Sequence, residues 1–451
     1  MPLRSAIASL LLACAAAAQQ PTRALEYEGV FDDKRVHSIH LVVEGEDWAK
    51  IGKKPFEWVK GEVEIDGERV GNVGIREKGN SSAGIRSEKK PFKIGFDKYD
   101  KDQRFKGLRT LVLNNGFKDP TLLREKLAYD LHRALGLPAS RAAHAVVTIT
   151  ARGQMEKRSF GVYTIVEHVD ETFLDERFGN HDGNLYKIEG MQDLFARVDE
   201  ARIADEKCVE LKTNEKENDR SRFVKFAGAI ADGKSDLTEW LDCDGFAKWL
   251  AATSALVNLD SYAGTGHNFY LYDDPKTGKF VLIPWDLNEA FGNFQQGPAE
   301  AHLAWDVYAP WVGSKKLIER FVAAPALKQK YLTALRDLCL KEFAPKTMAA
   351  KIDALFRLTK EAASKDSMKE YSTEDMIKSL SQDLAGTRMG PKQSQIFGLK
   401  PFVERRVDSI LKQLAGKTKG EKLEGRSGPP GGGPPGGGPG GKPPGSPPDK
   451  K

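Results

Sequence analysis

The chain has 451 residues, 40% of them hydrophobic and 29% charged, with a formal net charge of +5. That length supports a bilobal globular core, and so small a surplus of positive charge gives no ground for a nucleic-acid partner. Beyond the N-terminus no apolar run approaches the roughly 20 residues that a membrane-crossing helix needs, which argues against a transmembrane helix after the signal.

The N-terminus reads as a targeting segment. Arg4 precedes an apolar stretch over residues 7–13, and Ala16-Ala17-Ala18 before Gln19 offers a cleavage site, giving a signal peptide over 1–18. The expectation is export, with an extracellular, periplasmic or lipid-tethered destination. Leu11-Leu12-Ala13-Cys14 is similar to a bacterial lipoprotein box, in which Cys14 would carry a lipid anchor. Three further cysteines, Cys208, Cys243 and Cys339, allow one disulfide at most, and no Cys/His spacing suggests zinc.

Residues 36–43 alternate as a strand, and 47–53 read as a short helix or turn. Strands at 57–65 and 69–76 flank Asp66-Gly67 as a hairpin, and 92–96 is another strand, so an antiparallel N-terminal sheet is expected. Between them, Lys78-Gly79-Asn80-Ser81-Ser82-Ala83-Gly84 is basic, small and able to offer backbone N–H groups to phosphate. It has neither GxGxxG nor Walker A spacing, and an ordinary hairpin loop reads equally well. A helix starts after Asp119-Pro120-Thr121, with Asp119 or Thr121 as cap, and ends near Gly136. Strands at 145–150 and 160–166 lead into Glu167-His168-Val169-Asp170, where Asp170 can cap the next helix. Residues 189–220 are charge-rich and read as solvated surface. Residues 221–259 are mainly helical and deliver Asp260 at a helix exit. Helices follow at 315–323, 326–343, 346–364, near 373–386 and at 400–415; from 417 the composition turns to Gly and Pro, a disordered tail over 417–451.

The stretch 258–292 carries the chemistry. Apolar runs at 269–272 and 280–283, joined by Asp273-Asp274-Pro275-Lys276-Thr277-Gly278-Lys279, make a hairpin with Asn268 at its entrance and Asp286 at its exit. Both ends of a hairpin share one edge, so Asp260, Asn268 and Asp286 can converge. Two carboxylates and an amide are hard oxygen ligands suited to Mg²⁺ or Mn²⁺, with one carboxylate left to orient or deprotonate a hydroxyl. That is the layout of phosphoryl transfer. The plainer alternative has Asp260 and Asn268 capping turns and Asp286 as an N-cap before Leu287.

Seven blocks extend the reading: IREKGNSS (75–82), KKPFKIGF (89–96), LLREKLAYDL (122–131), GVYTIVEHVD (161–170), GNLYK (183–187), NLDSYAGTGHNFYLY (258–272) and PWDLNEAFG (284–292). In these the chain resembles the CotH family, the spore-coat-protein-H-type atypical kinases. The resemblance implies an α+β, protein-kinase-like bilobal fold, with a β-rich N-terminal lobe over 26–170 and a mainly helical C-terminal lobe over 171–416. It implies ATP as phosphate donor and a protein Ser/Thr hydroxyl as acceptor. Asp260 would be the catalytic carboxylate, and Asn268 and Asp286 the metal ligands. Lys93, paired with Glu125, would contact the phosphates, with Lys78 and Lys90 as rivals, and Glu167 would support the inter-lobe connector or touch the nucleotide. The chain departs from the common kinase pattern in having no HRD or DFG and a longer Asp260–Asn268 spacing. A non-catalytic surface or coat-assembly protein on the same scaffold, and a nucleotidyl transferase, are the alternatives.

Overall fold

The computed structural model describes residues 26–79, 87–190, 193–295, 297–386 and 395–424. The expected signal peptide with Cys14, residues 80–84 of the phosphate-loop candidate and residues 425–451 of the expected tail lie outside the described residues.

Seven strands close into a barrel: β1 (Val36–Glu44), β2 (Val59–Ile65), β3 (Glu68–Glu77), β4 (Phe92–Gly95), β5 (Thr110–Asn114), β6 (Ala142–Arg152) and β7 (Met155–Glu167), in the order β1-β2-β3-β4-β5-β7-β6. Helix α1 (Gly45–Lys53) follows β1, and α2 (Arg124–Ala134) separates β5 from β6. The expected antiparallel pairing holds from β1 through β4, and the ring closes where β1 meets β6 in parallel register, Val36 opposite His144 and Glu44 opposite Arg152. The β6–β7 hairpin returns the chain to the edge of β1, and closing the ring there pairs both edges. β5 is an element that the sequence reading passed over, although Thr110-Leu111-Val112-Leu113-Asn114 has the apolar run of a short buried strand.

Alternation decides where each strand looks. Ile75, Ile94, Leu111, Leu113 and Ile165 fill the barrel, while Val112 and Val166 point outward into a second core. That core joins α2 to α3 (Glu171–Phe178) and to a sheet of β8 (Leu185–Ile188), β9 (Val209–Leu211), β10 (Phe269–Asp274) and β11 (Lys279–Pro284), ordered β11-β10-β8-β9. Around them lie α4 (Glu200–Ala204), α5 (Ser221–Ala231), α6 (Cys243–Leu256), α7 (Ala299–Leu303), α8 (Lys316–Ala323), α9 (Pro325–Leu340), α10 (Pro345–Ser364), α11 (Thr373–Lys378) and α12 (Leu399–Leu414). The architecture is α+β.

Two boundaries differ from expectation. The described residues of 189–220 are stitched into the body rather than lying over it. β9 pairs with β8, and the buried Arg220 guanidinium donates to the carbonyls of Ile203 and Val209 at 2.5 and 2.7 Å. Residues 417–424 also belong to the packed body. Asp306 N–H donates to the Glu421 carbonyl at 2.9 Å, Glu421 N–H to that of Ala304 at 2.8 Å, and Leu423 is buried. Cys208, Cys243 and Cys339 are all free thiols.

Buried cations tie the elements together. Arg406 of α12 is fully buried and donates to the carbonyls of Ser254 at 3.1 Å and of Leu303 and Trp305 at 2.9 Å, satisfying orphan groups at the ends of α6 and α7. After α10 the chain turns so that Asp366 enters the side of the barrel. Its Oδ2 accepts from Lys89 Nζ at 2.6 Å and from Val162 N–H at 2.9 Å. Gly161, with φ +82°, makes room for it: a Cβ there would lie 2.0 Å from the Asp366 carboxyl carbon. The Lys89 side chain is 3% exposed and that of Asp366 0%. Asp366→Ala leaves the ammonium buried without its anion, a change expected to cost about 3–5 kcal/mol of unfolding free energy. Urea denaturation followed by tryptophan fluorescence measures this, and a loss under about 1 kcal/mol would show that the strap contributes little.

Candidate active site

The hairpin expected between 268 and 286 is present. Phe269 lies opposite Pro284 and Asp274 opposite Lys279. At its mouth the Trp285 N–H donates to the Asn268 carbonyl at 3.2 Å. Asn268 and Asp286 both adopt left-handed backbone, with φ of 59° and 55°. Asn and Asp enter that region more readily than other side-chain-bearing residues, and each stops the ladder there.

Asp260 lies just beyond α6 and is gripped by its own loop. Its Oδ1 accepts from His267 Nε2 at 3.0 Å and Thr265 Oγ1 at 3.3 Å. Asn268 Nδ2 donates to Asp260 Oδ2 at 3.1 Å and to the Asp260 carbonyl at 2.9 Å. The Asn268 amide is thereby oriented with its nitrogen on Asp260, and among the described residues its oxygen has no donor. Burial pulls the His267 pKa down, but the hydrogen bond and charge of Asp260 outweigh it and hold the imidazole above its ordinary value.

Asp286 occupies the N-cap position of the 3-10 turn Leu287–Glu289 but makes no capping bond. The plain capping role is therefore not the one its carboxylate plays. Its peptide N–H donates to the Tyr129 hydroxyl at 3.1 Å, and no described residue hydrogen-bonds to or pairs with its carboxylate. Burial pushes its pKa up, against the pull of Lys78, and the charge of Asp260 adds to the rise. A half-buried carboxylate without a donor is destabilising until a cation reaches it.

The barrel faces this mouth with a lysine, an amide and a glutamate. Lys78, just past β3, donates to Asn114 Oδ1 at 2.5 Å, and Asn114 Nδ2 donates to Glu125 Oε1 at 2.6 Å. The Lys78 ammonium lies 5.8 Å from the centroid of the Trp285 ring. Burial lowers the Lys78 pKa although Asp286 and Glu125 both oppose it; burial, reinforced by Asp286, raises that of Glu125. Lys78, Glu125, Asp286 and Asp260 thus share one electrostatic neighbourhood.

The expected Lys93–Glu125 pair does not form, and strand register gives the reason. Lys93 lies between Arg76 and Val112, whereas Lys78 donates its N–H to Pro91, two residues along. Asn114 is likewise two residues beyond Val112, so Glu125 meets the Lys78 row, roughly 7 Å from the Lys93 row. The Lys93 charge acts instead on Asp170 and Glu210, and Lys90 pairs with Glu77 at 3.3 Å. Glu167 ends β7 at 2% exposure with both carboxylate oxygens occupied. Arg141 donates through its backbone N–H and Nη1, and Arg177 through Nη2, all at 2.9 Å. The carboxylate is held by the two arginines and is not turned to a ligand. Asp170 caps α3, accepting from Phe173 N–H at 3.3 Å.

Three side chains at the site had no role in the sequence reading. His267 stood in the quoted stretch, and its spacing from Asp260 was the available signal. Asn114 depends on β5, an element of five residues. Glu289, in PWDLNEAFG, is buried with Oε1 on Lys118 Nζ at 2.8 Å and Oε2 on Asn293 Nδ2 at 3.3 Å. Among the described residues no three His, Cys, Asp or Glu side chains form a ready-made cation cage. The unpartnered Asp286 carboxylate and the free Asn268 amide oxygen still fit Mg²⁺ or Mn²⁺, because such ions commonly take one or two protein oxygens and complete their shell with phosphate and water.

Barrel, hairpin mouth and facing lysine define an α+β protein with an acidic site between two cores. The chain belongs to the CotH family: the family model described as CotH kinase protein matches residues 75–409, a span holding every site residue discussed above. It is similar to Inner spore coat protein H of Bacillus subtilis (strain 168), with 29% identity over 276 residues, covering 60% of this chain and 72% of that protein. Among the described residues no helix is long and apolar enough to cross a membrane.

Glu289 offers a pH test of the site's electrostatics. Burial raises its pKa to about 7 against the pull of Lys118. Between the ordinary glutamate value and about 7, the folded chain holds a proton that the unfolded chain has released, so this group's contribution to stability falls as pH rises through that window. Glu289→Gln should remove that fall. The stability difference, wild type minus variant, should drop between about pH 5 and about pH 8 in denaturation curves; parallel curves would assign Glu289 an ordinary pKa.

Proposed function

We propose that this protein is an exported kinase. It transfers the γ-phosphate of ATP to a protein Ser or Thr hydroxyl with Mg²⁺ or Mn²⁺, on a kinase-like bilobal scaffold whose N-terminal lobe is the barrel. The observation that carries this reading is the Asp286 carboxylate, in a cap position without a cap bond and without a partner among the described residues, at the same hairpin mouth as Asn268, whose amide oxygen has no donor among them, and within the electrostatic reach of Lys78. The description of the family model as a kinase protein supports it.

Asp260, fixed by His267 and Asn268, takes the proton of the attacking hydroxyl. The hydroxyl oxygen forms its bond to the γ-phosphorus as the bond to the ADP oxygen breaks. Lys78 holds phosphate oxygens, and its half-burial strengthens that contact relative to water. Asn268 and Asp286 would hold the divalent cation, which when bound supplies charge neutralisation and alignment of the phosphates. Most of the rate enhancement comes from positioning. The relative is named as an inner spore coat protein, and work in a coat or envelope outside the cytoplasm is the setting we propose for this chain.

With [γ-³²P]ATP and Mg²⁺ or Mn²⁺, the wild type should label itself or an acceptor protein on Ser or Thr. Asp260→Asn and Asp286→Ala should each lose at least about a hundredfold of that rate. Normal transfer by Asp286→Ala would overturn the metal assignment. An intact-mass gain of AMP instead of phosphate would make the protein a nucleotidyl transferase, and absence of ATP binding would leave a non-catalytic coat-assembly role.

A further inference from the structure

We infer that Asn114 is the positioning residue for the phosphate-binding lysine, and that Glu125 serves it as a hydrogen-bond acceptor instead of acting as the counter-ion of Lys78. The inference rests on reading Lys78 as the phosphate contact. Its ground is the order of the contacts: ammonium to amide oxygen at 2.5 Å, then amide nitrogen to carboxylate at 2.6 Å, with no ion pair joining Lys78 to Glu125.

An amide in that place has only one useful orientation. Its oxygen must face the ammonium, which only donates, and its nitrogen must face the carboxylate, which accepts. The grip of Glu125 on the nitrogen therefore aims the oxygen at Lys78. The amide itself cannot drift, because Asn114 is locked in the barrel opposite Thr164 and Lys78 is held through its N–H on the Pro91 carbonyl at 3.0 Å.

The arrangement has a chemical consequence. A carboxylate in direct contact would neutralise the lysine and compete with phosphate for it. A neutral amide fixes the lysine in position while leaving its charge for the nucleotide. Glu125 is 5% exposed, and burial favours its neutral form, which still accepts through its carbonyl oxygen.

Titration of the full chain with ATP–Mg²⁺ and, separately, with adenosine tests this. Asn114→Ala and Glu125→Ala should weaken ATP about ten- to a hundredfold, the range of a lost hydrogen bond to a charged group. Adenosine, which has no phosphates, should bind as tightly as to wild type. Glu125→Gln, which keeps the acceptor and removes the charge, should restore ATP affinity to within about threefold of wild type. Glu125→Gln as weak as Glu125→Ala would make Glu125 a counter-ion and overturn the inference, as would Asn114→Ala binding ATP normally or losing adenosine equally. Should Asn114→Ala not fold, the two Glu125 variants decide alone. A wild type that binds no ATP removes the kinase reading and this inference with it.

Discussion

The hydrogen bond from the Trp285 N–H to the Asn268 carbonyl closes the hairpin mouth, and the proposed chemistry depends on that register. A slip of one residue would turn every side chain of β11 to the opposite face and carry Asp286 away from Asn268. The far end of the same hairpin is fastened to the start of α6: Phe280 exchanges backbone bonds with Trp240 and Asp242, and Asp242 is the N-cap of that helix. α6 has 14 residues and spans roughly 21 Å, while the six-residue strands span roughly 20 Å. One helix matched in length to one hairpin brings Asp260 out beside Asn268.

Charges of both signs are held against their solvation preference around this mouth. Asp286, Glu289 and Glu125 have raised pKa values chiefly through burial, and Lys78 a lowered one for the same reason. Asp260 and Asp286 add to the repulsion at Glu289. Such a cluster is poorly optimised for stability, and the proposed cation with a polyphosphate would relieve both kinds of strain at once. Rigidity comes from elsewhere. Arg406 pins the last turn of α6 through the Ser254 carbonyl, and Arg124 reaches the Phe397 carbonyl at 2.6 Å, so the frame does not depend on the acidic residues pairing with one another.

The hairpin, with Asn268 and Asp286 at its ends, was legible because alternation, turn composition and the flanking polar residues are local signals. The helices between 315 and 415 were legible for the same reason. Lys93 stands out over Lys78 in the sequence because a mid-strand lysine is visible in one dimension, whereas the row it joins is set by pairing between residues 15 to 21 positions apart. Asn114 could not be found without β5, whose five residues are too short to show a period. The parallel seam between β1 and β6 is a property of closure and leaves no trace in either strand alone. Glu167 carried a plausible ligand pattern, but its partners, Arg141 and Arg177, come from other elements.

Asp366 has a bearing on how this protein can be taken apart. It is encoded some two hundred residues after Gly161, yet its carboxylate is the anion for a lysine inside the barrel region. An excised fragment ending near residue 170 would keep all seven strands and still lack that anion. The amino-terminal part is therefore not a free-standing module to be grafted onto a different carboxyl-terminal half. A chimaera drawing its two halves from different relatives needs a matching acid on the incoming segment, or a neutral residue in place of Lys89.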